Sequence, residues 1–132
     1  MIVDSHALLW WLEGSPKLSE RAAEVFAGAE TKGVRLVVNP VTFWELRQKQ
    51  LRGKLETRRP INEWPDLLRN LFPWIEVIEV GSDLWLAMAA LRWAHQDPAD
   101  RLIAVTALKL GLPVLTKDGK FHELDSPVKA VW

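Results

Sequence analysis

Asp4, Glu45, Asp100 and Asp118 are the side chains of this 132-residue sequence whose types and spacing could do chemistry. Asp4 follows the apolar pair Ile2-Val3, and Asp118 lies two residues beyond Leu115-Thr116. Glu45 stands almost two turns into the helical pattern after Val34 to Val38, on the face begun by Val41. Asp100 heads an apolar stripe continued by Ile103, Ala104 and Ala107. If the apolar runs are strands of a parallel sheet, their carboxyl ends share one crevice and the acids meet there. Carboxylates so gathered repel, and they stay ionised only with cations among them; otherwise one or more keeps a proton with a raised pKa. Oxygen-only donors select Mg²⁺ or Mn²⁺ over zinc. One or two such ions, ~3.5–4 Å apart when both are bound, activate water and orient a phosphodiester. The chemistry this predicts would be phosphodiester hydrolysis.

Strands must alternate with helices to bring these positions together, and they do. Met1 to Val3 reads as a short buried strand and His6 to Leu12 as a helix, broken at Gly14-Ser15-Pro16. Ser19 caps a second helix with Ala22, Val25, Phe26 and Ala29 on one face, and Gly33 ends it. After the strand Val34 to Val38, Asn39-Pro40 is an N-cap followed by a first-turn proline, opening a helix to about Arg52. Pro60 to Leu71 is helical with Trp64, Leu67, Leu68 and Leu71 on one side; Trp74 to Val80 alternates like an edge strand. Ser82 caps a helix over Asp83 to Ala94, and Asp97-Pro98 opens another whose part from Leu102 to Leu110 is apolar nearly all round. Pro113 to Thr116 and Val128 to Trp132 are the last strands. The alternation predicts an α/β fold, a mainly parallel sheet of about four to five strands flanked by helices, with residues 1–132 in one domain.

Composition bounds the function. Seventeen basic residues balance seventeen acidic ones, so any nucleic-acid surface must be local. The absence of cysteine removes disulfides, thiolate zinc sites and thiol nucleophiles. The apolar run Ala7 to Leu12 is too short for a signal or membrane segment, which predicts a cytoplasmic protein without a membrane partner. Eight tryptophans exceed what a core of this size needs. Trp44 and Trp74 are expected in packing, whereas Trp10, Trp11, Trp85 and Trp93 are expected to be shared between core and partner surfaces.

The segments Ile2-Val3-Asp4-Ser5-His6-Ala7-Leu8-Leu9-Trp10-Trp11, Phe43-Trp44-Glu45, His95-Gln96-Asp97-Pro98-Ala99-Asp100-Arg101-Leu102-Ile103-Ala104 and Leu115-Thr116-Lys117-Asp118 occur in that order. Together they resemble PIN-domain ribonucleases of the VapC type, the toxins of type II toxin–antitoxin systems. The resemblance spans nearly the whole chain and includes Arg52-Gly53-Lys54-Leu55. It implies a Mg²⁺- or Mn²⁺-dependent endoribonuclease holding one or two ions, with Asp4, Glu45, Asp100 and Asp118 as the acidic quartet and Asp97 as an additional acid. It also implies water as nucleophile, products with 5′-phosphate and 3′-hydroxyl ends, tRNA or rRNA as substrate, a homodimer, and a cognate antitoxin. Asn39 stands where serine is usual, and Ala99 replaces a frequent aromatic; neither change removes a carboxylate.

Each acid also has a plain structural reading. Asp4 and Asp97 are good N-caps, Asp100 suits a helix dipole, Asp118-Gly119 suits a turn, and Glu45 a solvated helix face. Arg47, Lys49, Arg52, Lys54, Arg58 and Arg59 form a local basic cluster, with Glu56 the one acid among them. Arg47, Lys49, Arg52 and Lys54, with Arg101 and Thr116, are the candidates for holding RNA, against the reading of an ordinary charged helix face. His6, His95 and His122 lack metal-ligand spacing and are expected at helix ends and surface. No nucleophile elbow or phosphate-cradling glycine loop occurs. A receiver-type phospho-acceptor is disfavoured because Ser5 follows Asp4 and no Asp lies between Asp4 and Asp66. The remaining alternative is a non-catalytic RNA- or protein-binding module of the same fold, its acids serving as caps.

Overall fold

The computed structural model describes all residues from Met1 to Trp132. Its strands are β1 (Ile2–Val3), β2 (Leu36–Val38), β3 (Ile75–Val77), β4 (Val114–Leu115) and β5 (Ala130–Val131). Its helices are α1 (Ser5–Leu12), α2 (Glu20–Lys32), α3 (Val41–Leu51), α4 (Trp64–Leu71), α5 (Ser82–Ala90) and α6 (Pro98–Leu110), with short 3₁₀ turns at Ile61–Glu63 and Gly119–His122. The five strands form one sheet in the order β3-β2-β1-β4-β5, and every neighbouring pair is parallel. The predicted α/β architecture is therefore the one observed. No helix is long and apolar enough to cross a membrane.

The strands β1, β2 and β4 are apolar throughout because the sheet is covered on both faces there, whereas the edge strand β3 carries exposed Glu76. Val3, Leu36, Val38 and Leu115 belong to a core with Phe26, Trp64 and Leu68, whereas Ile2, Val37 and Val114 belong to a second core with Leu102, Ile103, Trp93 and Phe121. Register then fixes the site's edge. Val3 pairs with Leu115, so Asp4 and Thr116, the next residue on each strand, leave the sheet side by side.

The caps follow the sequence except at Ser82, which is the first residue of α5 behind an N-cap at Gly81 with no side-chain bond. Ser19 Oγ accepts from Ala22 N at 3.1 Å, Asn39 Oδ1 accepts from Val41 N at 2.9 Å, and Gly111 ends α6 at φ 64°, a left-handed conformation suited to glycine. Other expectations are corrected. The segment 60–71 is a 3₁₀ turn followed by α4 rather than one helix, and Leu71 is exposed because the inward face is completed by Trp64 and Leu68. Trp44, expected in packing, is 54% exposed. Asp118-Gly119, read as a turn, does open a 3₁₀ turn, and β5 then pairs parallel to β4. Finally, α5 stops at Ala90 instead of Ala94, with Leu91 extended at ψ 123°. The cause is Arg101, whose guanidinium collects the carbonyls of this segment.

Candidate active site

Each carboxylate of the predicted quartet stands near the carboxyl edge of the sheet, held by a different element. Asp4 ends β1 and caps α1, so the cap reading is correct as far as it goes: Ser5 N donates to Asp4 Oδ1 at 2.6 Å. Its other oxygen, Oδ2, accepts from Thr116 Oγ1 at 2.7 Å. The residue is 3% exposed. Burial raises its pKa to about 7, against the two hydrogen bonds, and the charges of Glu45 and Asp100 push the same way. A cap alone needs neither that burial nor those neighbours.

Glu45 comes from α3. It accepts from Ser5 Oγ at 2.6 Å through Oε2 and from Lys49 Nζ at 2.7 Å through Oε1. Lys49 Nζ also lies 3.4 Å from His6 Nε2, and burial first, then Lys49, pushes the His6 pKa down. Asp100 sits in the first turn of α6, with Oδ2 2.5 Å from His95 Nε2 and 3.7 Å from Lys120 Nζ. Burial raises its pKa against the His95 contact, and Asp97 and Asp118 add to the rise. Asp118 heads the 3₁₀ turn after β4: its N donates to Thr116 Oγ1 at 3.0 Å, its Oδ1 accepts from Lys120 N at 3.0 Å, and its Oδ2 lies 3.9 Å from Lys120 Nζ.

Two chains of contact thus diverge from Asp4-Ser5. One runs through Thr116, Asp118 and Lys120 to Asp100 and His95, and the other through Glu45 and Lys49 to His6. No three acids or histidines close into metal-ligating geometry. The donor set nevertheless suits a hard divalent cation: it is all oxygen, its negative charge is concentrated, and lysine ammonium groups already stand among the carboxylates as cations.

The remaining predicted residues separate. Asp97 is exposed and caps α6, accepting from Ala99 N at 2.9 Å and Asp100 N at 3.3 Å. Arg101 is not at a substrate surface. It is 8% exposed and donates to the carbonyls of Trp93 (3.0 Å), His95 (2.9 Å), Met88 (3.0 Å) and Leu91 (2.6 Å). Thr116 is buried and its hydroxyl is engaged between two acids, so it orders carboxylates rather than facing solvent. Arg47 bonds Gln50 within α3, Lys49 is paired with Glu45, and Arg52 and Lys54 are exposed and free of ion pairs.

Sequence reasoning missed three contributors. Ser5 entered the sequence reading only as the residue after Asp4, yet it donates to Glu45. His95, expected at a helix end or the surface, is half-buried against Asp100, braced edge-on by Trp93 at 5.1 Å. Lys120 carried no signal beyond standing two residues after Asp118.

A family model described as the PIN domain matches residues 1–127. The chain belongs to the PIN domain family. This PIN domain is 27% identical over 135 residues to a protein named Ribonuclease VapC22 from Mycobacterium tuberculosis (strain ATCC 25618 / H37Rv), covering 100% of this chain and 98% of the relative. In solved structures its fold is matched by a toxin–antitoxin complex from Klebsiella pneumoniae, at TM-score 0.61 and 15% identity over 99% of this chain and 95% of that one. FitAcB from Neisseria gonorrhoeae gives TM-score 0.60 and 19% identity, covering 99% and 96%.

Proposed function

We propose that this PIN domain is a metal-dependent endoribonuclease of the VapC type, the toxin of a type II toxin–antitoxin pair, hydrolysing RNA phosphodiester bonds with water as nucleophile. The observation that carries the reading is that Asp4, 3% exposed, lies within reach of the charges of Glu45 and Asp100, with burial first and those charges second raising its pKa to about 7. The full-length relative named Ribonuclease VapC22 supplies the substrate class. Asp4, Glu45, Asp100 and Asp118 would hold one or two Mg²⁺ or Mn²⁺ ions, with Asp97 at most an outer contact while it caps α6. Such ions supply acidification of water and stabilisation of charge on the scissile phosphate.

The protein's own groups do the positioning. Thr116 orients Asp4 and fixes the backbone of Asp118, Ser5 orients Glu45, and His95 orients Asp100. Exposed Arg52 and Lys54, beyond the Glu45 helix, are available to RNA phosphates and would give salt-dependent binding. A tRNA or rRNA substrate, a cognate antitoxin and a homodimer complete the reading. Exposed Trp44 and Trp85, lining a groove of about 480 Å³ with Val41, Val80 and Leu102, are apolar surface that a protein partner would cover. A cytoplasmic location follows from an RNA target and a protein antitoxin.

The test is cleavage of total bacterial RNA by protein freed of any partner, in Mn²⁺, beside Asp100→Asn purified identically. Discrete fragments from the wild type alone are expected. Absence of cleavage by the wild type would overturn the ribonuclease reading in favour of a binding module.

A further inference from the structure

The carboxylate cluster has an unusual feature for a site that must take up a cation: a protein ammonium group already bridges two of its acids. Lys120 Nζ lies 3.7 Å from Asp100 Oδ2 and 3.9 Å from Asp118 Oδ2, joining α6 to the turn after β4. The lysine is held there from its backbone. Its N–H donates to Asp118 Oδ1 at 3.0 Å, and the next residue, Phe121, is 2% exposed and packs 5.2 Å from Trp93. That anchoring keeps the long side chain beside the acids although it is 45% exposed. Lys49 is different: its carboxylate partner is Glu45 within one helix, an ordinary i,i+4 contact, and its other neighbour is His6 Nε2 at 3.4 Å, so it bridges no two acids.

We propose that Lys120 is the displaceable counter-cation of this site. In the metal-free protein it offsets the repulsion between Asp100 and Asp118, and a divalent cation gains those carboxylates only by expelling its ammonium. This accounts for two observations together: the acids stand close, yet they do not close into ligating geometry. The ammonium is a monovalent cation carried on a flexible stem, so it competes with a divalent ion without matching its charge. Once expelled, it remains tethered at the rim, where an anionic substrate would meet it. The inference rests on the site being one for a divalent cation, not on RNA being the substrate.

The experiment is Mn²⁺ titration of the full chain by calorimetry, without RNA, for wild type, Lys120→Gln, Lys120→Arg and Lys117→Gln. Lys117 neighbours Asp118 in sequence but makes no ion pair with an acid, lying instead over the Trp10 ring at 5.7 Å. Lys120→Gln should bind Mn²⁺ about threefold to tenfold more tightly, the range set by losing a close but partly solvent-screened charge. Lys120→Arg should stay near wild type. Without metal, Lys120→Gln should melt below wild type, and it should gain more in Tm on adding Mn²⁺. Unchanged or weaker Mn²⁺ binding by Lys120→Gln overturns the proposal, as does an equal gain in Lys117→Gln, which would reduce the effect to net charge. Failure of the wild type to bind Mn²⁺ overturns both this proposal and the metal-dependent reading. Tight Mn²⁺ binding with the expected Lys120 effect but no RNA cleavage would leave this proposal standing and sink the ribonuclease.

Discussion

Asp100 and Arg101 are neighbours in the first turn of α6, both largely withdrawn from water, and they sit in regions built on opposite terms. Arg101 faces carbonyls of Met88, Leu91, Trp93 and His95, whose other hydrogen bonds are long, at 3.4 Å to Met88 O, 3.2 Å to Leu91 O and 3.4 Å to Trp93 O. Both its terminal nitrogens donate two hydrogen bonds each, and the segment 91–97 takes its path from them. Asp100 faces Asp97 and Asp118 as well as His95 and Lys120, and burial raises its pKa beyond what the His95 contact offsets. A charge whose surroundings satisfy it holds structure together; one whose surroundings leave it short of counter-charge marks a place for something the chain does not itself contain.

The contrast can be broken by mutation. Asp100→Asn should lower RNA cleavage in Mn²⁺ by about 10³-fold or more, with little change in the denaturation midpoint of the metal-free protein. Comparable losses of activity and stability would place Asp100 on the structural side. Arg101→Met should do the reverse, destabilising the fold by about 3–5 kcal/mol in urea because it leaves buried carbonyls unsatisfied. Arg101→Lys, retaining charge without the planar fork, should fall between. A stable Arg101→Met variant with impaired RNA binding would return Arg101 to the substrate surface.

Asp4 sharpens the comparison through pH. The folded protein holds its proton up to about pH 7, whereas the ordinary value is 3.8, so between these the folded state binds more protons than the unfolded. Stability of the metal-free protein should therefore fall as pH rises from about 4 to about 7, the penalty being complete above that range. Asp4→Asn, which still accepts a cap hydrogen bond, should abolish cleavage yet raise metal-free stability at pH 8 by on the order of 2 kcal/mol, with the gain vanishing near pH 4. Chemical denaturation at the two pH values checks this. A large loss at both would mean that capping and the Thr116 hydrogen bond dominate over repulsion.

The smallest effect belongs to the exposed cations. Arg52→Ala with Lys54→Ala should weaken RNA binding by the Asp100→Asn protein severalfold and lower the salt slope by about 2, leaving thermal stability unchanged. An unaltered salt slope would assign both to the ordinary solvated surface that their composition alone suggests.

Much of this molecule is local and was legible in the chain. The caps at Asp4, Ser19, Asn39 and Asp97 report hydrogen bonds that close within three residues, and the apolar runs report burial of a sheet on both faces. Those determined the α/β class, the order of elements and the common edge of the acids. The α5 terminus was misread because Leu91 to Ala94 continues a helical pattern; what stops it is a guanidinium from the following helix. Trp44 was misplaced because periodicity shows which face of a helix is apolar, not whether anything covers it.

What only the tertiary structure decided is which partner each charge has. Thr116 reaches Asp4 across 112 positions of chain because Val3 and Leu115 are in register, and Ser5 reaches Glu45 across 40. Lys120 meets Asp100 because Phe121 is drawn into the core beside Trp93. Sequence carries the type and order of these groups, since local hydrogen bonding and hydrophobic periodicity act over a few residues. Their satisfaction or lack of it depends on distances set by packing between remote segments, and that difference separates Arg101 from Asp100.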